Sequence, residues 1–391
     1  MKKKKVLLII PKLYNGGIEK VASVFSLNLC DDYDQYIYSI MNQDESYDFA
    51  VKPIILDRRV ASGYLGKLLN FFYRIKLLRD IVHQEDIDVV ISFGERCNLI
   101  NMISFIKVKR ILTIHSVISV ENKSKGFLGF VGGFIARTTY SNAEEVVAVS
   151  GVVKDDAEKY LGISNISKIY NGHEIDSIIE LGNFEADYKI EGDYIVAVGR
   201  ITYAKGYWHL IRCFSKLKLT NPNLKLVIVG GVELDGRLED LKEIVSHFKL
   251  ESEVQFLGQV NNPYPIIKNA KLLALTSIYE GLPGVAIESL SLGTPVVSTN
   301  SGGSAEIVLG DVSCNEINLE SEFCKSDFGC ITKPFKGDFL KLEELTFEEQ
   351  QFCDAMQFQL DVDVKSDNLK TRALEFSIEN AIAKYRDLIE K

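Results

Sequence analysis

The sequence predicts an α/β protein built on parallel sheets and divided into more than one domain. Three observations carry this reading. The chain has 391 residues, more than one ordinary hydrophobic core holds. Short apolar runs such as Val6 to Ile10, Val89 to Phe93 and Ile195 to Val198 alternate with longer stretches of helical spacing. The stretch from Lys271 to Val308 reads as a strand, a glycine turn, a short helix, a second strand and a second glycine turn. That order sets backbone N–H groups and a positive helix end at the carboxyl edge of a parallel sheet, where phosphates bind.

Composition narrows the class. Apolar residues make up 46%, in keeping with a globular protein. A net charge of −9 argues against a general nucleic-acid binder. The seven cysteines include no Cys-x-x-Cys pair, and Cys314, Cys324 and Cys330 have no histidine near them, so no metal is expected. An odd, unpatterned set suits a reducing cytoplasm. The start, MKKKKVLLIIPK, imitates a secretory leader, but its apolar run is too short and reads as a buried first strand. No apolar window is long enough to span a bilayer.

In chain order, residues 6–10 form the first strand. Gly16 and Gly17 open a helix over 18–29, letting backbone approach a ligand or acceptor. The spacing is not the G-x-G-x-x-G of dinucleotide sites. Strands follow near 35–40 and 53–56, then a helix over 61–83. Around that helix Arg58, Arg59, Lys67, Arg74, Lys76 and Arg79 mix with Phe71, Phe72 and Tyr73. Such a basic, aromatic segment (58–79) fits an anionic membrane surface, or a helix packed on the sheet with a solvated basic face. The strand 89–93 ends at Gly94, Glu95, Arg96 and Asn98. The strand 110–114 ends at His115, placed to hydrogen-bond a sugar hydroxyl. Asp86-Ile87-Asp88 has the letters of a metal motif but sits at an amino end, away from where ligands gather. Gly126 to Phe134, with Lys123 and Lys125 before it, is a glycine- and aromatic-rich piece suited to lipid or acceptor. Tyr170-Asn171-Gly172 is the expected hinge.

A second domain opens at Tyr194. Its first strand ends at Arg200, and Lys205 precedes a helix from Tyr207. Both cations can neutralise a diphosphate without metal, Arg as a fork and Lys as a point charge. The strand 224–229 ends at Gly230 and Gly231, with Glu233 beyond. Glu280 lies on the first glycine turn (Gly281, Leu282, Pro283, Gly284) and Glu288 on the helix after it. A carboxylate accepts from vicinal hydroxyls with both oxygens, so two of them suit a ribose and a hexose on either side of a diphosphate. His209 and His247 read as structural. Residues 335–365 are weakly patterned, and one last helix is expected over about 368–389.

Glu280, Glu288, Gly293, Pro295, Val296, Val297, Gly302, Gly303 and Glu306, with Gly199, Arg200, Lys205 and Gly206, resemble the donor-binding signature of family 4 glycosyltransferases. The likeness is densest over 194–308. It implies the GT-B fold: two Rossmann-like domains, 1–171 and 172–367, facing across a cleft, with 368–391 running back onto the first. It implies a retaining transfer from a nucleotide diphosphate sugar, of UDP or GDP type, to a glycan or polyprenyl-linked acceptor in cell-surface polysaccharide synthesis. Glu280, Arg200, Lys205 and His115 would be catalytic. Glu288, Gly281 to Gly284, Gly230 and Glu233 would bind donor, and Gly16 and Gly17 acceptor or phosphate. No metal or cofactor is implied, and closure around Asn171 would gate the reaction. The expected place is the cytoplasm, at the inner face of the cell membrane. The competing readings are a sugar-nucleotide epimerase of the same architecture, which lacks the Arg–Lys and Glu–x7–Glu pairing, and a non-catalytic membrane scaffold. Gly-Gly-Val at 230–232 departs from the family's Gly-x-Gly-Pro and leaves base contacts undefined.

Overall fold

The apolar runs become strands of two parallel sheets, one in each of two units of the chain. The structure, a computed structural model, describes residues 3–13, 16–29, 31–41, 47–55, 63–186, 188–232, 237–310, 317–336, 344–362, 364 and 366–391.

The first unit begins with β1 Lys5–Ile10, α1 Gly17–Leu29, β2 Asp34–Ser39, β3 Ile54–Ile55, α2 Gly63–Gln84, β4 Val89–Phe93 and α3 Glu95–Ile103. It continues with β5 Lys109–Ile114, α4 Ile118–Ser124, α5 Gly126–Thr139, β6 Glu145–Ala148, α6 Gly151–Leu161 and β7 Ile166–Lys168. The strand order is β3-β2-β1-β4-β5-β6-β7, parallel throughout. Helices cover both faces, so the inner strands are apolar at nearly every position rather than alternating. Leu7 and Ile9 meet Ile75 and Leu78 of α2 and Ile100 of α3. Val6, Leu8 and Ile10 meet Phe25 and Leu29 of α1 on the other face. The chain moves outward from β1 to β3, then returns to β4. The switch point therefore lies between β1 and β4, and their carboxyl ends carry Gly16, Gly17, Gly94 and Glu95.

The second unit holds α7 Ile175–Leu181, β8 Tyr194–Val198, α8 Tyr207–Thr220, β9 Lys225–Val229, α9 Arg237–His247, β10 Val254–Gly258 and α10 Tyr264–Lys268. β11 Leu272–Leu275, α11 Gly284–Ser291, β12 Val296–Thr299, α12 Ser304–Val308, β13 Cys324–Ser326, β14 Gly329–Thr332, α13 Phe347–Asp361 and α14 Ser366–Leu374 complete it. The order is β10-β9-β8-β11-β12-β14-β13, with only the edge strand β13 antiparallel among the described strands. Here the switch point lies between β8 and β11. Inside this unit Glu349 takes Arg212 Nε at 2.7 Å and Nη2 at 2.8 Å, with His209 Nδ1 at 2.7 Å. Burial works against the Glu349 carboxylate, but the bonds from His209 and Arg212 outweigh it and hold its pKa at about 2. His209 is structural, as expected.

Two expectations about the chain's end are corrected. Residues 335–365, expected to be weakly patterned, include α13, opened by a capping box of Thr346 and Glu349 and burying Phe352, Cys353, Ala355 and Met356. The single returning helix from 368 is two helices, α14 and α15 Ile378–Glu390. α14 stays with the second unit, where Arg372 donates to the carbonyls of Ile307 (3.1 Å) and Glu306. The chain re-enters the first unit at Ser377, which caps α15. There Phe25 packs edge-on against Tyr385, and Tyr33 donates to Glu390 at 3.0 Å. The outward crossing falls between His173 and Glu174. Gly172 is held inside the first unit, where a Cβ would lie 2.6 Å from Ile378.

Candidate functional site

The carboxyl edge of the second sheet is assembled from backbone contacts that only glycine allows. β8 hands over to Gly199, whose carbonyl lies under Gly230; a Cβ on Gly230 would sit 1.9 Å from it. Gly206 turns the chain into α8 with φ +58, against the Thr276 carbonyl at the end of β11. Thr276 Oγ1 donates to Lys205 O at 2.9 Å, and Ile278 N to Ala204 O at 2.8 Å. The loops after β8 and β11 are thus stitched together at the switch point.

This stitching brings Lys205 to Glu280. The ammonium and Oε1 are 2.5 Å apart, with both side chains about one-fifth exposed. Ser277 Oγ donates to the same carboxylate oxygen at 2.8 Å. Gly302 closes over the turn with φ +77, where a Cβ would strike Glu280 O at 2.0 Å, and Gly303 N donates to Gly281 O at 2.9 Å. Both glycine turns that the sequence singled out therefore clamp one loop. Gly281, Leu282 and Pro283 lead into α11, where the Ala286 N–H donates to Pro283 O at 3.0 Å and the N-terminal end of the helix is its positive end. Glu288 faces inward from α11, 8% exposed, with the Tyr264 hydroxyl 3.5 Å from its Oε1. The loop after β8 thus sets a point cation against the segment after β11, which carries a carboxylate, a helix N-terminus and a second, buried carboxylate. Chemically that arrangement can neutralise phosphate oxygens and accept from hydroxyls on either side.

The structure places the other expected residues as follows. Arg200 is exposed just past β8, and Gly230 lies at the carboxyl end of β9. Glu233 lies outside the described residues, as do Arg58 and Arg59. In the first unit Gly17 opens α1, and a Cβ there would meet nothing within 4 Å. His115 ends β5. Its Nε2 contacts Thr113 Oγ1 at 2.8 Å, Nδ1 is buried without a partner among the described residues, and burial pushes its pKa down to about 4. Glu95, next to Gly94 on the neighbouring strand end, is pushed up to about 7 by burial although Tyr140 donates to it at 2.8 Å. Asp88, of the metal-like triplet, accepts from the backbone N–H of Lys5 at 2.8 Å at the amino edge.

Sequence reasoning missed Ser277, Tyr264 and Tyr207, which donates to Gly199 O at 2.9 Å. Ser277 stands three residues before Glu280, a spacing that offered a signal. Tyr264 offered none, because its partner is 24 residues away.

Comparison with known proteins is consistent along the chain. The Glycosyltransferase Family 4 profile matches residues 15–177, and the profile of glycosyl transferases group 1 matches residues 184–313. An uncharacterised glycosyltransferase of Methanocaldococcus jannaschii is 30% identical over 349 residues, covering 83% of this chain and 84% of that one. A Campylobacter jejuni protein is 26% identical over 315 residues, 78% of this chain and 84% of its own. It is named as an N-acetylgalactosaminyltransferase acting on a diphospho-undecaprenol-linked sugar. The crystal structure of Anabaena HepE with UDP and glucose superposes with a TM-score of 0.73 at 17% identity, covering 99% of each chain. The profiles meet between residues 177 and 184, a few residues past the crossing between the two units, and the sheets are those of the GT-B class. The chain belongs to the family 4, group 1 glycosyltransferases.

Proposed function

We propose that the protein moves a hexose or N-acetylhexosamine from a UDP or GDP sugar to a glycan or polyprenyl-linked acceptor, retaining anomeric configuration, in cell-surface polysaccharide synthesis. The observation that carries this reading is the Lys205–Glu280 pair at the second switch point beside the start of α11. The incoming diphosphate competes with Glu280 for the Lys205 ammonium. Glu280 then accepts from the sugar hydroxyls, and Glu288 from the ribose. As the bond from the anomeric carbon to the phosphate oxygen breaks, Lys205 and Arg200 stabilise the charge left on the diphosphate. The acceptor oxygen bonds to the anomeric carbon, and its proton passes to the departing phosphate oxygen. No metal takes part in this scheme. His115, neutral at pH 7, hydrogen-bonds a substrate hydroxyl.

The undecaprenol-linked substrate named for the Campylobacter relative supports the lipid-linked acceptor, and the UDP and glucose in Anabaena HepE support the donor class. No described helix is long and apolar enough to cross a membrane. A cytoplasmic place at the inner membrane face fits a lipid-linked acceptor. So does contact with anionic head groups through 58–79, where α2 exposes Lys67, Leu68, Leu69, Phe72, Tyr73, Lys76 and Arg79.

The direct test is thermal unfolding of the wild type and Glu288→Ala with UDP, GDP and ADP. A ligand at 100 times its dissociation constant stabilises by about 2.7 kcal/mol. A shift with one nucleotide, lost in the variant, supports the donor site and names the base. Equal shifts in both proteins remove Glu288 from it. Full transfer activity in both Glu280→Gln and Lys205→Ala would sink the whole reading.

A further inference from the structure

A chain of polar side chains runs under the carboxyl edge of the first sheet. Ser92, Asn98, Asn101 and Thr113 are all fully buried, although the strands around them are apolar at nearly every position. The bonds along this chain leave one place for each proton. A backbone carbonyl only accepts. Asn98 therefore turns Nδ2 to Thr113 O at 2.9 Å and receives Ser92 Oγ on Oδ1 at 2.7 Å. The Ser92 hydroxyl, its single proton committed to Asn98, accepts from Asn101 Nδ2 at 3.2 Å. Thr113 Oγ1 meets Ser92 O at 2.9 Å and His115 Nε2 at 2.8 Å. Its one proton lies toward the carbonyl, so the second contact is a hydrogen bond only when Nε2 carries a hydrogen and donates. Burial lowers the His115 pKa to about 4, so the ring is neutral at pH 7 and has a single N–H. Nδ1 is then a bare lone pair. Phe93 flanks the ring, with centroids 5.9 Å apart. Two acceptors of this chain have no partner among the described residues, Asn101 Oδ1 at its inner end and His115 Nδ1 at its outer end. Only the second stands at a carboxyl edge, where ligands gather. A buried acceptor left unmade costs stability, and a substrate that donates to it removes that cost.

We propose that Thr113 is a positioning residue that fixes His115 as its Nε2–H tautomer, so that Nδ1 accepts a hydrogen bond from a substrate hydroxyl. The ring then selects the direction of the bond as well as its place. A hydroxyl donates to Nδ1, whereas an ether oxygen or a fluorine at the same position sets one lone pair against another and is rejected. This deepens the reading of His115 given above and rests on it for the ligand. The tautomer is a property of the free protein and stands apart from that reading.

The test is nitrogen NMR of the full chain labelled at histidine, with His115→Gln identifying the ring among the five histidines. Wild type at pH 7 is expected to show Nε2 protonated and Nδ1 bare. Thr113→Ser retains the hydroxyl and is expected to retain this pattern. Thr113→Val keeps the shape but leaves a buried Nε2–H without an acceptor, so the ring is expected to exchange between both tautomers. Release of nucleoside diphosphate from UDP-glucose, UDP-N-acetylgalactosamine and GDP-mannose is then followed with a lipid extract as acceptor. For the donor used, Thr113→Val is expected to lose about tenfold in kcat/KM and Thr113→Ser to stay near wild type. The nucleotide-induced thermal shift is expected in all three proteins. A wild-type ring protonated on Nδ1 overturns the proposal. So does a Thr113→Val ring with the wild-type pattern, or equal turnover in all three proteins. Turnover of none of the donors by wild type counts against the transferase reading instead, and the ring spectra still decide the tautomer.

Discussion

The two sheet edges share a topology and differ in how they treat charge. Each unit has its switch point where the chain reverses direction across the sheet, and each marks that point with glycines at a helix start. At the second edge, Lys205 and Glu280 face each other as opposite charges in a half-open loop. At the first edge, burial holds His115 neutral at pH 7 and pushes Glu95 to about 7. One edge is equipped to meet an anion and the other to meet neutral hydroxyls. Topology therefore sets where ligands gather, and local burial sets their polarity.

The largest effect that would break this contrast is at the charged edge. Lys205→Ala is expected to lower the sugar-transfer rate by about 100- to 1,000-fold, measured by release of nucleoside diphosphate. A loss below tenfold would mean that the pair is a structural bridge. Next comes the ionic interior of the second unit. Glu349→Gln leaves Arg212 without its counter-charge and is expected to destabilise by about 3 kcal/mol, read from denaturant midpoints. Because the folded pKa of Glu349 is depressed, its stabilisation is present above about 4.5 and is lost as pH falls toward about 2. Gly302→Ala tests the clamp over Glu280. Its Cβ would sit at φ +77 against a backbone carbonyl, so a loss of about 2 kcal/mol is expected in thermal unfolding, together with weaker nucleotide binding.

The smallest effect sharpens the contrast from the neutral side. Glu95 has a raised folded pKa, so the stability it lends is present below about 4.5 and is lost as pH rises through about 7. Glu95→Gln is expected to flatten the unfolding temperature over that window. His115 has a lowered folded pKa, so its stabilisation is present above about 6.5 and is lost as pH falls toward about 4. His115→Gln is expected to flatten the acid side instead. Identical pH profiles for wild type and both variants would remove the distinction between the edges.

Much of the fold was legible because buried parallel strands are continuous apolar runs: Val89 to Phe93 and the strand opening at Tyr194 were bounded almost to the residue. Lys205 and Glu280 were legible because glycine turns announce a carboxyl-edge site. What stayed hidden depends on contacts between distant residues. Arg372 ties α14 to carbonyls some 65 positions earlier, and Ser377 caps a separate α15. Tyr140 meets Glu95 across 45 residues. The sequence marked 126–134 as aromatic and glycine-rich, but which face would point inward depended on Asn122 and Tyr160 leaving no room for a Cβ on Gly129 and Gly133.

The return of the chain at Ser377 has a consequence for biosynthesis. One face of the first sheet is finished by Ile378, Ile382, Tyr385 and Ile389 of α15, yet about 200 residues (174–376) are made in between. At 5–20 residues per second, Val6, Leu8 and Ile10 wait on the order of 10 to 40 seconds for those partners to leave the ribosome. The second unit, encoded without interruption, is free to fold first. The nascent chain thus carries an open apolar face through much of its translation, and chaperones have most reason to hold it there.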